Sequence, residues 1–352
     1  MRAREEQLGL NSELIQNTPY PTMFWVQKET EDVFIRVLPT YSSKAAHLNI
    51  QSHRYRQQST IFNYDLIQVP RKQIHKVYRP TDRLNQILHT FQKGTFSDKQ
   101  ALDSVERQAL EAALCISELY EIPVENMGLT GSILWNAQHN LSDIDLVLYG
   151  LDAVKKYLAV KDAPNSDQRG IRSFKKIELL PLAEKMIKRT GLPLEECFEY
   201  QYRKPHLLFH NDRRVSISFV PTINELIKFP AYVLESQFNS FGKVIIRAKL
   251  KTDTYEFFLP GILEIDTTEI VVLEHKEDFL ELQPKQITRV MIFEQEFIGY
   301  YKTGDLIEIS GLLQYAKNIP AFSGFDLINT YQVMIGGHET YGREYIRLLK
   351  NQ

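Results

Sequence analysis

GLTGSILWNAQHNLSDIDLVLYG, residues 128–150, is the stretch on which the reading of this chain turns. Its end, DIDLVLYG, is apolar and rich in strand formers, the pattern of a buried strand. Side chains alternate across a strand, so Asp143 and Asp145 point to one face. Two carboxylates side by side repel each other unless something positive sits between them. A hard divalent cation is the usual answer. Upstream, Gly131-Ser132 forms a tight turn whose backbone N–H groups can approach a phosphate.

Gly-Ser, a spacer, then Asp-x-Asp on a strand resembles the signature of the DNA polymerase beta superfamily of nucleotidyltransferases. The match is close over residues 128–150 and looser over 95–225. The whole chain looks most like the uncharacterised predicted nucleotidyltransferases of archaea, which flank this core with small domains. The resemblance implies that Asp143 and Asp145 are catalytic and hold Mg²⁺ or Mn²⁺. It implies that Gly131 and Ser132 bind the β/γ-phosphates of a nucleoside triphosphate. It also implies a third carboxylate on a later strand, helping to hold the catalytic metal. The later strand here is Arg213-Arg214-Val215-Ser216-Ile217-Ser218-Phe219. Ser216 or Ser218 stands where the acid belongs, and a hydroxyl is a poor Mg²⁺ ligand. Asp212, the nearest acid, falls at the tip of an expected hairpin, too far out.

Three functions follow from this departure. One is a metal-dependent nucleotidyltransferase moving a nucleoside monophosphate to a hydroxyl of RNA, protein or a small molecule. The alternative is a catalytically impaired nucleotide- or RNA-binding module that retains the fold. The third is a scaffold in which the aspartate pair is a relic.

Between the expected helices 151–161 and 177–190 lies a polar, basic loop. Its Arg169, Arg172, Lys175 and Lys176 are candidate triphosphate partners, Arg172 and Lys176 foremost, against the plainer reading of a solvated loop. Arg213 and Arg214 alternate, so only one shares the aspartates' face. Trp135 is expected in the core, and His139 and His210 on the surface.

With 352 residues, 43% hydrophobic and 24% charged, the chain has material for two or three globular domains. Cys115 and Cys197 form no metal-ligand spacing and no disulfide framework, which fits a reducing cytoplasm. The charged N-terminus has no signal-peptide core, and no apolar run spans a membrane. The net charge of −2 hides an asymmetry. Residues 44–83 carry eight bases against two acids, interleaved with Tyr55, Phe62, Tyr64 and Tyr78. RNA is the candidate partner of such a surface. Residues 253–308 carry thirteen acids against four bases, a poor surface for nucleic acid.

The expected fold is α+β and multidomain. Residues 1–80 form a small β-rich domain, with short strands such as TMFWVQ, DVFIRVLP and YDLIQV. Residues 81–230 form the polymerase-beta-like α/β core. It opens with a helix capped by Thr81 that buries Leu84, Ile87, Leu88 and Phe91, and a second helix starts at Ser97. Residues 206–220 read as a hairpin turning at Asn211-Asp212. Residues 231–352 read as strands of a β-barrel, GDLIEISGLLQY resembling a strand of an OB-type barrel.

Overall fold

The computed structural model describes residues 7–10, 22–26, 33–37, 56–59, 64–69, 74–93, 102–134, 136–161, 170–204, 206–226, 229–230, 236–275, 282–323, 326–336 and 344–349, with side chains described from Tyr78 onward. The chain mixes helices and strands. It divides into two compact units. The first is Met1–Gln57, Asp65–Phe174 and Pro205–Thr222; the second is Gln58–Tyr64, Lys175–Lys204 and Ile223–Gln352.

The N-terminal strands are β1 (Gln7–Leu10), β2 (Thr22–Val26), β3 (Val33–Val37), β4 (Arg56–Ser59), β5 (Tyr64–Val69) and β6 (Ile74–Tyr78). They lie in the order β4-β5-β3-β2-β1-β6. The three quoted strand segments correspond to β2, β3 and β5. Apart from Tyr78, Arg79 and Arg83, the basic and aromatic side chains of 44–83 lie outside the described residues.

Helix α1 (Pro80–Lys93) starts one residue before the expected cap. Proline suits a first turn because it lacks the N–H that would go unbonded there. Leu84 and Ile87 are buried, but Phe91 is exposed. Helix α2 (Ser104–Leu119) is capped by Asp103, which accepts from the Val105 and Glu106 amides while Glu106 accepts from the Asp103 amide. The expected start at Ser97 lies outside the described residues.

Strand β7 (Met127–Thr130) runs directly into the single-turn helix α3 (Gly131–Leu134). A Cβ on Gly128 would meet Pro80 Cβ at 2.6 Å, so glycine lets β7 lie against the start of α1. Strand β8 (Ile144–Tyr149) and helix α4 (Leu151–Lys161) follow, then β9 (Ile171–Ser173). Strands β10 (Leu207–His210) and β11 (Arg213–Val220) form the expected hairpin. Asn211 and Asp212 both have positive φ, 45° and 65°, as a two-residue type I′ turn requires. The sheet order is β7-β8-β11-β10-β9. The central pair, β8 and β11, is parallel. One face buries Ile144, Leu146, Leu148, Val215, Ile217 and Phe219.

In the second unit, α5 (Lys176–Thr190) stops at Gly191, whose φ of 70° is the left-handed cap. Helix α6 (Leu194–Arg203), absent from the sequence reading, comes next, and α7 (Ile223–Leu226) later. The strands are β12 (Gln237–Tyr255), β13 (Gly261–His275), β14 (Ile287–Ile292), β15 (Leu306–Pro320), β16 (Leu327–Ile335) and β17 (Tyr345–Leu348). β12 pairs with both β13 and β15, so pairing runs β12–β13–β14–β16–β15 and back to β12. Ala183, Met186, Cys197 and Tyr200 are buried in one cluster with Val244, Leu263, Val290 and Leu313. The apolar stripes of α5 and α6 therefore pack onto these strands.

Candidate functional site

The second face of the five-stranded sheet is only half-buried toward one end. Pairing registers lay out two rows of side chains on it. Thr130, Asp145, Ser216 and Leu207 are successive partners across β7, β8, β11 and β10. One pleat along, Arg214, Phe209 and Arg172 are successive partners across β11, β10 and β9. Asp143, two residues before Asp145, shares its face and forms an ion pair with Arg214. The Ser216 hydroxyl donates to Asp145 Oδ1.

Gly131 adjoins this pair. Its φ is 64°, and a Cβ there would lie 1.9 Å from Asp145 Oδ2. Only glycine allows both the left-handed turn and the close approach of the carboxylate. Ser132 follows it, half-buried in an otherwise buried single turn. The structure thus brings Gly131, Ser132, Asp143 and Asp145 together.

Arg213 points to the opposite face. It donates to Gln108, to the Ser142 carbonyl and, at 3.1 Å, to the Asn140 carbonyl, tying down the segment that enters β8. Behind α3, Arg83 donates to the Ile133 carbonyl at 2.9 Å and forms a buried ion pair with Glu106. Arg83, held by Glu106, therefore fixes the turn that presents Gly131. The sequence reading missed these supports. Two adjacent arginines at the start of a strand were the visible signal, but only the register assigns Arg214 to the site.

Arg172 lies on the aspartates' face, on the edge strand. Its guanidinium sits 4.0 Å from the centre of the Phe209 ring and 3.8 Å from Asp212 Oδ1. Lys176 belongs to the second unit, in the first turn of α5, with its ammonium 5.8 Å from the centre of the Tyr202 ring. Asp212 is 97% exposed at the hairpin tip. Ser218 pairs with Val147, so Ser216 is the serine beside the aspartate. His139 is exposed. His210, expected on the surface, is buried: it shares the inward face of β10 with Leu208. That burial lowers its pKa, with Glu111 opposing the shift. Trp135 and Arg169 lie outside the described residues.

The donor set does not fit a resident two-metal centre. Two carboxylates share the face, one is engaged by a guanidinium, and a hydroxyl stands beside the other. Among the described residues no group of three His, Cys, Asp or Glu side chains could hold a metal.

No family model matches the chain, and no solved structure matches it. An uncharacterized protein of Methanocaldococcus jannaschii is 26% identical over 186 residues, covering 49% of this chain and 51% of that protein. The chain thus spans about half the length of the curated relative it matches. Among the described residues no helix is long and apolar enough to cross a membrane.

Proposed function

We propose that the sheet of β7–β11 is a nucleotide-binding module on a polymerase-beta-like nucleotidyltransferase frame, impaired in transfer. The observation that carries this reading is the register of Ser216 beside Asp145, with Arg214 on Asp143. Gly131 and Ser132 take the phosphates, and Asp143 and Asp145 face a cation that arrives with the nucleotide. Among the described residues no third acid joins the two aspartates to help hold a catalytic metal. Nucleotidyl transfer depends on positioned cations more than on covalent chemistry, so this loss falls on turnover before binding.

The second reading, an active Mg²⁺- or Mn²⁺-dependent transferase, draws support from the accessibility of the pair: the Asp143 side chain is 37% exposed. One experiment separates the two. The protein is incubated with each labelled triphosphate, Mg²⁺ or Mn²⁺, and RNA or protein acceptors. Binding and transfer are both measured. Binding with transfer far below about one per second is expected. Transfer at that rate or faster restores the active reading, and no binding of any triphosphate defeats both.

For the second unit we propose an OB-type barrel, a reading that the cyclic pairing of five strands supports. Its acidity favours a protein-facing role over a nucleic-acid one. RNA remains proposed for residues 44–83 on composition alone. The free thiols Cys115 and Cys197 support a cytoplasmic setting.

A further inference from the structure

We propose that Arg172, Phe209 and Phe174 form a nucleobase subsite beside the aspartate pair, an inference that rests on the nucleotide-binding reading above. The Phe174 and Phe209 ring centres are 4.5 Å apart at 39°. Arg172 stacks on Phe209 at 4.0 Å. All three side chains are half-buried: Arg172 on the three-residue edge strand, Phe174 immediately after that strand, and Phe209 on the neighbouring strand. The cluster therefore presents flat π surface and a delocalised cation, the two things on which a nucleobase stacks. An apolar peptide or lipid tail would instead have to cover the charges of Arg172 and Asp212.

Position selects the same occupant. Arg214, Phe209 and Arg172 are consecutive register partners, and Arg214 holds Asp143. The Gly131 turn at the end of β7 reaches against Asp145 of β8, and from β8 to β9 is three strand spacings, about 14 Å. A single nucleotide can span that, its phosphates at the Gly131 turn and its base at the sheet edge. The Asp212 contact to Arg172 is exposed and worth about 1 kcal/mol at most, so it gives way to a stacked ligand.

The test is calorimetric titration of the full chain with ATP and with inorganic triphosphate, both in Mg²⁺. Arg172→Lys keeps the charge and removes the flat plane. Phe174→Leu and Phe209→Leu remove rings. Each should weaken ATP at least about fivefold, the low end for a lost stacked base, and leave triphosphate binding unchanged. The triphosphate arm also checks folding; should Phe209→Leu fail to fold, the two β9-side variants carry the test. An unchanged ATP affinity in Arg172→Lys and Phe174→Leu overturns the subsite. So does equal weakening of both ligands, or a wild type that holds triphosphate as tightly as ATP. A wild type that binds neither ligand defeats the nucleotide reading itself, and the subsite with it.

Discussion

The sheet of β7–β11 and the C-terminal strands both carry charge among apolar side chains, and they neutralise it differently. In the first and the helices beside it, Arg83 meets Glu106, Arg214 meets Asp143 and the Ser216 hydroxyl meets Asp145, while Arg213 is held by Gln108 and two backbone carbonyls. In the second, two fully buried charges meet backbone. Glu256 Oε1 accepts from the Tyr300 and Tyr301 amides at 2.6 and 2.8 Å. Arg289 donates to the Pro230 and Pro320 carbonyls. Backbone dipoles are fixed and weaker than counter-ions, so ionisation shifts. Burial pushes the Glu256 carboxyl up to about 8 and pulls Arg289 down to about 9. Where side chains do the compensating, the charge remains exchangeable, and a ligand can replace one partner.

The largest effect should come from breaking the buried pair. Arg83→Ala leaves Glu106 buried without its counter-ion and removes the bond to Ile133. A loss of about 3–5 kcal/mol is expected in urea unfolding. Nucleotide affinity should fall with it, because the Gly131 turn loosens. A loss under about 1 kcal/mol would contradict the side-chain account of the first unit.

Glu256 tests the other half. Its folded pKa, about 8, stands above the ordinary 4.5. Between those values the unfolded chain binds fewer protons, so stability falls as pH rises from about 4.5 to 8. The full drop is on the order of 5 kcal/mol, about 1.4 kcal/mol for each unit between 4.5 and about 8. Glu256→Gln should flatten thermal melts over pH 5–9 and be more stable than wild type at the alkaline end. An unaltered slope in the variant would mean that another group sets it.

Gly131→Ala should cost about 1–3 kcal/mol, from the positive φ and from displacing the Asp145 carboxylate. Its nucleotide affinity should fall further than its melting temperature suggests. If only stability changes, the turn is a structural feature and not a phosphate site.

The smallest effect belongs to Ser216→Asp. A third carboxylate beside Asp145 should destabilise the metal-free protein by about 1 kcal/mol through like-charge repulsion. Mn²⁺ should then raise the variant's melting temperature, by up to about 2.7 kcal/mol of stability at a hundredfold excess over its dissociation constant. Wild type should respond little. An equal Mn²⁺ response in both would show that the metal does not need the missing acid.

What was legible in the sequence was local. Gly131, Gly191 and the Asn211-Asp212 pair carry their conformations with them, so the turn, the helix stop and the hairpin could be read from residue types. The shared face of Asp143 and Asp145 needed only the strand period. Which arginine joins them needed the parallel pairing of β8 with β11, and no local pattern states that register. The buried state of Glu256 and Arg289 was equally hidden. Each looks like an ordinary strand-end charge until the chain folds over it. His210 belongs with them: its polarity suggests the surface, and β10's alternation puts it inside.

The ion pair and hydroxyl contact at the site join residues 71 apart in the chain. The β10–β11 hairpin can close in microseconds on its own, whereas β8 and β11 must first pay loop-closure entropy over that separation. Parallel, long-range pairings are the slow steps of folding. Ligand competence should therefore be absent from early hairpin-containing intermediates and emerge with the final phase of refolding. A nucleotide-dependent signal in stopped-flow refolding would thus serve as a clock for completion of this sheet.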